Sequence, residues 1–308
     1  MATKSGKPTK PRTTETGAAP LVDAAWLASH LDDPDIRLVH VSTERRTYNK
    51  RHVPGATYSD LPRELALRGT VAETGPFPRS GLVSSREQVA TLLRRWRVGD
   101  GDRIVFIDDV GRLTHAARAY WLLRLYRYPS DRLHILDGGM DAWGRDEQPT
   151  TTEIPEADLA DGLRQPAELE EEDGTLVATT EHVRDWSREA TGRSGGPTRL
   201  LDVRTAAEWV GAEPGAARGG HIPGARLRHV NALLTSEGTV RSVDAALSLL
   251  RASGVDPAEV RAVYCQDGVR SALAWFVLHE LAGLDDVALY AGGWEDWGNR
   301  SDSPVEVP

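Results

Sequence analysis

Val260-Arg261-Ala262-Val263-Tyr264-Cys265-Gln266-Asp267-Gly268-Val269-Arg270-Ser271 is the stretch whose reading decides the fold. Its apolar opening, Val260 to Tyr264, reads as a buried strand, and Ser271 to Ala282 carries helical spacing. Between them the only cysteine of the chain opens a six-residue turn, Cys265 to Arg270. A thiol at a strand–loop–helix junction meets unpaired backbone N–H groups and the positive end of a helix dipole, and both favour an anion. Gly268 permits the curl that turns successive amides inward, and Arg270 sets a fixed positive charge at the rim. The stretch predicts a nucleophilic cysteine, with an inert buried thiol as the competing reading.

Working outward, the same landmarks occur twice. In the first half, Leu21 to Leu31 has helical spacing, Ile36 to Val41 reads as a strand, and Arg51-His52-Val53-Pro54-Gly55-Ala56 follows. Ser84, three residues before Glu87, predicts a capping box for a helix over Ser84 to Trp96. Arg103 to Ile107 and Leu133 to Leu136 read as strands, with a helix from Thr114 to Tyr126 between them, and Asp137-Gly138-Gly139 leads to Trp143. The second half answers in order: a helix over Val177 to Trp186, a strand over Thr198 to Val203, then Gly220-His221-Ile222-Pro223-Gly224-Ala225. A helix over Ser242 to Arg251, the strand before Cys265 and Ala291-Gly292-Gly293-Trp294 complete it. Alternating strands and helices imply a parallel sheet with crossovers, and matched landmarks imply tandem duplication. Where the second copy has Cys265 the first has Asp108, a charged residue that predicts a position facing solvent or a cleft in both.

The 308 residues allow about two domains at roughly 150 residues each. The expected division is a disordered tail over 1–20, an N-terminal domain over 21–149, an acidic, solvated linker over 150–174 and a C-terminal domain over 175–308. A composition of 40% hydrophobic and 27% charged residues describes a globular protein without a membrane-spanning run. The net charge of -9 argues against nucleic acid as a partner. One cysteine forms no internal disulfide and no thiolate metal cluster, which fits a reducing cytoplasm.

The loop Cys265-Gln266-Asp267-Gly268-Val269-Arg270, the Gly220 to Ala225 turn, Leu201-Asp202-Val203-Arg204 and the Gly292-Gly293-Trp294 to Trp297 segment together resemble the tandem-domain rhodanese-type sulfurtransferases over about residues 20 to 305. The resemblance implies an α/β protein of two tandem rhodanese-like domains, each a mainly parallel sheet flanked by helices. It also implies a catalytically silent first copy with Asp108 at the cysteine position. Cys265 would take the outer sulfur of a small donor as a persulfide and pass it to cyanide or a thiol, without metal or organic cofactor. Gln266, Asp267, Gly268 and Val269 would form the loop wall, while Arg270 would pair the donor or an internal carboxylate. Arg204 stands where the family places a donor-binding arginine; a clasp with Asp202 or Glu208 is its alternative. His52 and His221 are read as turn-stabilising, and Trp294 and Trp297 as packing residues.

The donor is less legible. Basic residues early in the loop mark thiosulfate relatives and a Cys-Gly-Ser/Thr-Gly loop marks mercaptopyruvate relatives, and Cys265-Gln266-Asp267-Gly268 is neither. Thiosulfate is favoured, because Arg204 and Arg270 could bind its sulfonate. The rivals are a persulfide carrier that serves a sulfur-accepting partner protein and a cysteine phosphatase or arsenate reductase. The latter needs a Cys-x5-Arg loop, one residue longer than the spacing here.

Overall fold

The computed structural model describes residues 19–67, 83–109, 111–155, 165, 167–192 and 196–308; the expected tail lies almost wholly outside them. The first copy runs β1 (Leu21–Val22), α1 (Ala24–Ser29), β2 (Ile36–Ser42), α2 (Arg45–Lys50), β3 (Thr57–Asp60), α3 (Arg86–Arg95), β4 (Arg103–Asp108), α4 (Thr114–Leu125), β5 (Leu133–Leu136) and α5 (Gly139–Arg145). The second runs α6 (Thr180–Thr191), β6 (Leu200–Asp202), α7 (Ala206–Trp209), β7 (Arg226–Leu227), α8 (Val243–Ala252), β8 (Ala262–Tyr264), α9 (Val269–Trp275), β9 (Ala288–Leu289) and α10 (Gly293–Asn299).

Every strand pairing within the two sheets is parallel, in the orders β1-β5-β4-β2-β3 and β7-β6-β8-β9. Val177 adds one parallel bridge outside β9, at the place β1 holds beside β5. Both copies therefore share one topology, and β4 and β8 are equivalent central strands. Such strands are covered on both faces and read as unbroken apolar runs: Ile104 to Ile107 and Ala262 to Tyr264 are fully buried.

Three apolar cores divide the molecule. Two are private, one behind each sheet, around Trp143 in the first copy and around Trp294 and Trp297 in the second. The third runs through both copies and contains α4, α9 and Cys265. At its centre Tyr120 meets Phe276 edge-on, with ring centroids 4.9 Å apart. Beside them Arg124 Nε donates to Glu280 Oε1 at 2.9 Å. The helix that follows each strand-end loop is thus buried against its counterpart, and the two loops are brought to one interface.

Several boundaries differ from the expected ones. The starts of both copies were read as helix, but Leu21 and Val177 sit in very short edge pairings, and the helices begin only after Asp23 and Thr179, whose side chains cap them. Two residues are too few to show a period of two. The cap of α3 is Ser85 with Gln88, because Ser84 is buried and donates to the Glu64 carbonyl at 2.5 Å. α9 starts at Val269, two residues early, and continues as a wider turn over Phe276–Leu281. The linker is not simply solvated: Glu170 and Asp173 donate backbone N–H groups to Tyr126 and Leu125, and Ala167 and Leu169 pack on the shared core.

A continuous core predicts that the two copies unfold together. Phe276→Ala should lower the stability of the whole chain by about 3–5 kcal/mol in a single denaturant transition; two separate transitions in the parent would contradict the shared core.

Candidate active site

β8 ends at Tyr264, so Cys265 is the first residue beyond the sheet. The next peptides are oriented by α10: Trp294 N–H donates to the Cys265 carbonyl at 2.8 Å and Glu295 N–H to the Gln266 carbonyl at 2.9 Å. In a trans peptide the C=O and the following N–H point in opposite directions. Carbonyls drawn to α10 therefore send the Gln266 and Asp267 N–H groups the other way, into the loop. Gly293 makes this approach possible, since at φ +56° a Cβ there would lie 2.6 Å from both carbonyl oxygens. Gly268 caps α9 at φ +83°, where a Cβ would meet the Ala291 carbonyl at 2.7 Å. The two glycine motifs are thus one device that holds the loop open inward.

The thiol is fully buried, and its neighbours do not favour the thiolate that the sequence predicted. Burial pushes the Cys265 thiol up, and the Asp267 carboxylate adds to this, against Arg270 and the Ser271 hydroxyl. The Sγ–H donates to Asp267 Oδ1 at 3.7 Å, and the same oxygen accepts the Val269 N–H at 3.2 Å. Asp267 thereby occupies an amide of the anion nest. Ser271 Oγ donates to Sγ at 3.4 Å. Gln266 is tied back, its Nε2 donating to the Gly215 carbonyl at 2.7 Å.

Arg270 and Arg204 part company. Arg270 lines the cleft between the copies and makes two hydrogen bonds to Glu208, at 2.8 and 2.6 Å. Against the opposing effect of burial, this pairing draws the Glu208 carboxyl down to about 2, so the pair stays ionised at neutral pH. Arg204 does not line the cleft, contrary to the donor-binding expectation. It is fully buried, chelates Asp202 through Nε and Nη2 at 2.8–3.1 Å, donates to the Gly220 carbonyl at 2.8 Å and lies over Trp294. It is the clasp that joins the Asp202 strand end to the Gly220 turn.

The cleft has a volume of about 700 Å³. The second copy supplies Thr205, His229, Asn231 and the loop, and the first supplies Arg112, Thr114 and His115. Arg118 of the first copy, fully buried and not a lining residue of the cleft, lies against the loop and was missed from sequence. Its Nη1 lies 3.0 Å from where a Cβ on Gly268 would stand. Burial brings its guanidinium down to about 10, against the pull of Asp267 and Cys265. The signal was an arginine in the middle of the otherwise apolar Ala116 to Leu123 run. Asp108 is fully buried, not facing solvent, and its Oδ2 accepts the N–H groups of His115 and Ala116 at 2.8 and 3.3 Å. In the first copy a side-chain carboxylate therefore sits at the helix start. His52 and His221 are built into their turns, each through a backbone pairing, with Thr151 and Glu306, and a ring stacked on Tyr48 or Trp209.

Two copies of one α/β fold, whose equivalent loops carry different chemistry and face a shared cleft, define a duplicated enzyme. The rhodanese-like domain family model matches residues 23–146 and again 155–300. The chain belongs to this family, among its tandem-domain sulfurtransferases. It is 33% identical over 298 residues to the thiosulfate sulfurtransferase of Corynebacterium glutamicum, covering 93% of this chain and 90% of that protein. It is 29% identical over 293 residues to the sulfur carrier protein TtuD of Thermus thermophilus, covering 92% and 95%. The crystal structure of the 3-mercaptopyruvate sulfurtransferase SseA of Escherichia coli is similar with a TM-score of 0.72 at 26% identity, over 90% of this chain and 100% of that one.

Arg204→Ala should cost about 3–5 kcal/mol of stability, the range for orphaning one partner of a buried pair, and leave the donor KM of the folded protein unchanged. A raised KM would return Arg204 to the binding residues. Asp267→Asn removes the negative neighbour of Cys265, so the thiolate forms at lower pH. The midpoint of the pH dependence of Cys265 alkylation should fall, and an unmoved midpoint would remove Asp267 from the thiol's electrostatics.

Proposed function

We propose that the chain transfers sulfane sulfur from thiosulfate, through a persulfide on Cys265, to cyanide or a small thiol. The observation that carries this reading is the inward-facing loop around the only cysteine, opening on a cleft with two arginines. The Cys265 thiolate attacks the outer sulfur, the S–S bond of thiosulfate breaks, and sulfite leaves with the bonding pair. The terminal sulfur of the persulfide is an anion, which the Gln266 and Asp267 N–H groups and Arg118 would stabilise. The acceptor then attacks that sulfur and releases the Cys265 thiolate. Asp267 must give up its contact with Sγ as the donor enters.

The sulfonate of the donor would be met by Arg112 and Arg270, in place of the Arg204 expected from sequence. Arg112 is exposed on the first-copy rim of the cleft, and Arg270 lines the cleft while paired with Glu208. The loop is narrow, with only Gln266, Asp267 and Gly268 between Cys265 and the first residue of α9. That width suits a single sulfur atom better than a tetrahedral phosphate or arsenate. Delivery to a partner protein is the second reading; the similarity to a protein named as a sulfur carrier favours it.

Intact-mass measurement after incubation with thiosulfate, mercaptopyruvate or a phosphate ester in parallel tests the proposal. One added sulfur from thiosulfate, absent in Cys265→Ser, is the expected result, and phosphate release without sulfur gain would overturn it. Poor turnover with every small acceptor despite loading would favour delivery to a protein. Arg112→Ala should raise the thiosulfate KM by about 10-fold, the loss of one charge-assisted contact, with kcat little changed.

A further inference from the structure

The first-copy loop, which lacks a cysteine, brings together the one His and carboxylate group of ligand spacing found among the described residues. The ligand atoms of Asp108, Asp109 and His115 all lie within 4.8 Å of one another. His115 Nδ1 stands 3.8 Å from Asp108 Oδ1 and 3.6 Å from Asp109 Oδ1. These separations are too long for hydrogen bonds, which run to about 3.2 Å. Two ligands on arms of about 2.0–2.2 Å at a tetrahedral angle stand roughly 3.4 Å apart, close to what is seen.

The carboxylates are also held as ligands are. Asp108 commits Oδ2 to the N–H groups of His115 and Ala116, and Asp109 commits Oδ2 to the Ser42 hydroxyl. Each turns its other oxygen toward the imidazole. The Asp109 side chain is only 5% exposed, and among the described residues neither its Oδ1 nor His115 Nδ1 has a hydrogen-bond partner. The buried carboxylate oxygen and the ring nitrogen are held at an ion-pair separation without a hydrogen bond, a gap that a bridging cation would fill. Outer hydrogen bonds of this kind orient metal ligands. His115 lines the cleft, which supplies an entry path and room for a fourth ligand.

We propose that Asp108, Asp109 and His115 bind a divalent first-row transition-metal ion, of which Zn²⁺ suits one nitrogen and two oxygens in a three-ligand site with an open position. The site is independent of the sulfur chemistry assigned to Cys265. It would put a dication on the first-copy wall of the cleft, opposite the catalytic loop.

Calorimetric titration of the untagged full chain with Zn²⁺, in a Cys265→Ser background that removes the thiol as a competing ligand, tests it. One ion per chain is expected, with Co²⁺ giving a visible d–d spectrum from the same site. Asp109→Asn and His115→Gln should each weaken binding by at least about 10-fold, and Ser42→Ala, which frees Asp109 Oδ2 and the Glu44 N–H without removing a ligand, by a smaller factor. No uptake by the parent at millimolar Zn²⁺ would overturn the proposal whatever the variants do, leaving an imidazolium between two carboxylates. Uptake unchanged in folded Asp109→Asn and His115→Gln would also overturn it.

Discussion

The structure of the site depends on one constraint, the capture of two loop carbonyls by the N-terminus of α10. A helix start offers N–H groups without partners inside the helix, and Trp294 and Glu295 spend two of them on Cys265 and Gln266. Planarity of the peptide does the rest, because the amides on the far side of those bonds have only one direction left. The loop amides are thus aimed by a helix some thirty residues away in sequence, through a contact that only a residue without a Cβ at position 293 permits. The equivalent contact exists in the first copy, where a Cβ on Gly139 would lie 2.4 Å from the Asp108 carbonyl. The duplicated Gly-Gly motif therefore supports the loop backbone regardless of what side chain the loop carries.

An inward-facing set of amides draws an anion, and each copy supplies its own when no ligand is present. Asp108 does so in the first copy directly, from the cysteine position. Asp267 does so in the second from two residues further on, taking the Val269 N–H and the thiol proton. The second arrangement lies at the cleft, which Asp267 borders. Asp108 is enclosed on all sides. The two loops thus differ in where the carboxylate is tethered, at the cysteine position in the first copy and two residues further on in the second.

Much of this was legible in the sequence because the information is local. The strand ending in Tyr264, the helical run after it and the matched Gly-Gly-x3-Trp and His-x-Pro-Gly motifs fix the topology, and with it the junction that holds Cys265. Contacts between the copies were not legible. Arg118 lies on α4, and its relation to Gly268 exists only because α4 and α9 share a core. Arg204 was misassigned for a related reason. Its place after a strand allowed either a donor or a clasp, and the choice turned on the Gly220 carbonyl and the Trp294 face, both distant in sequence. The thiol's resting state was misread because strand–loop–helix geometry speaks for a thiolate, while full burial and Asp267 speak louder against it.

The shared core also explains why a duplicated chain keeps a copy without the nucleophile. The second copy cannot bury α9 alone: Trp275, Phe276 and Leu278 find their cover in the first copy's α4. An exposed apolar face of that size on a free domain would seek a partner, and duplication provides one already tethered. Once the first copy is required for packing, its loop is necessarily delivered to the same cleft. Arg112, Thr114 and His115 of the first copy accordingly form one wall of that cleft.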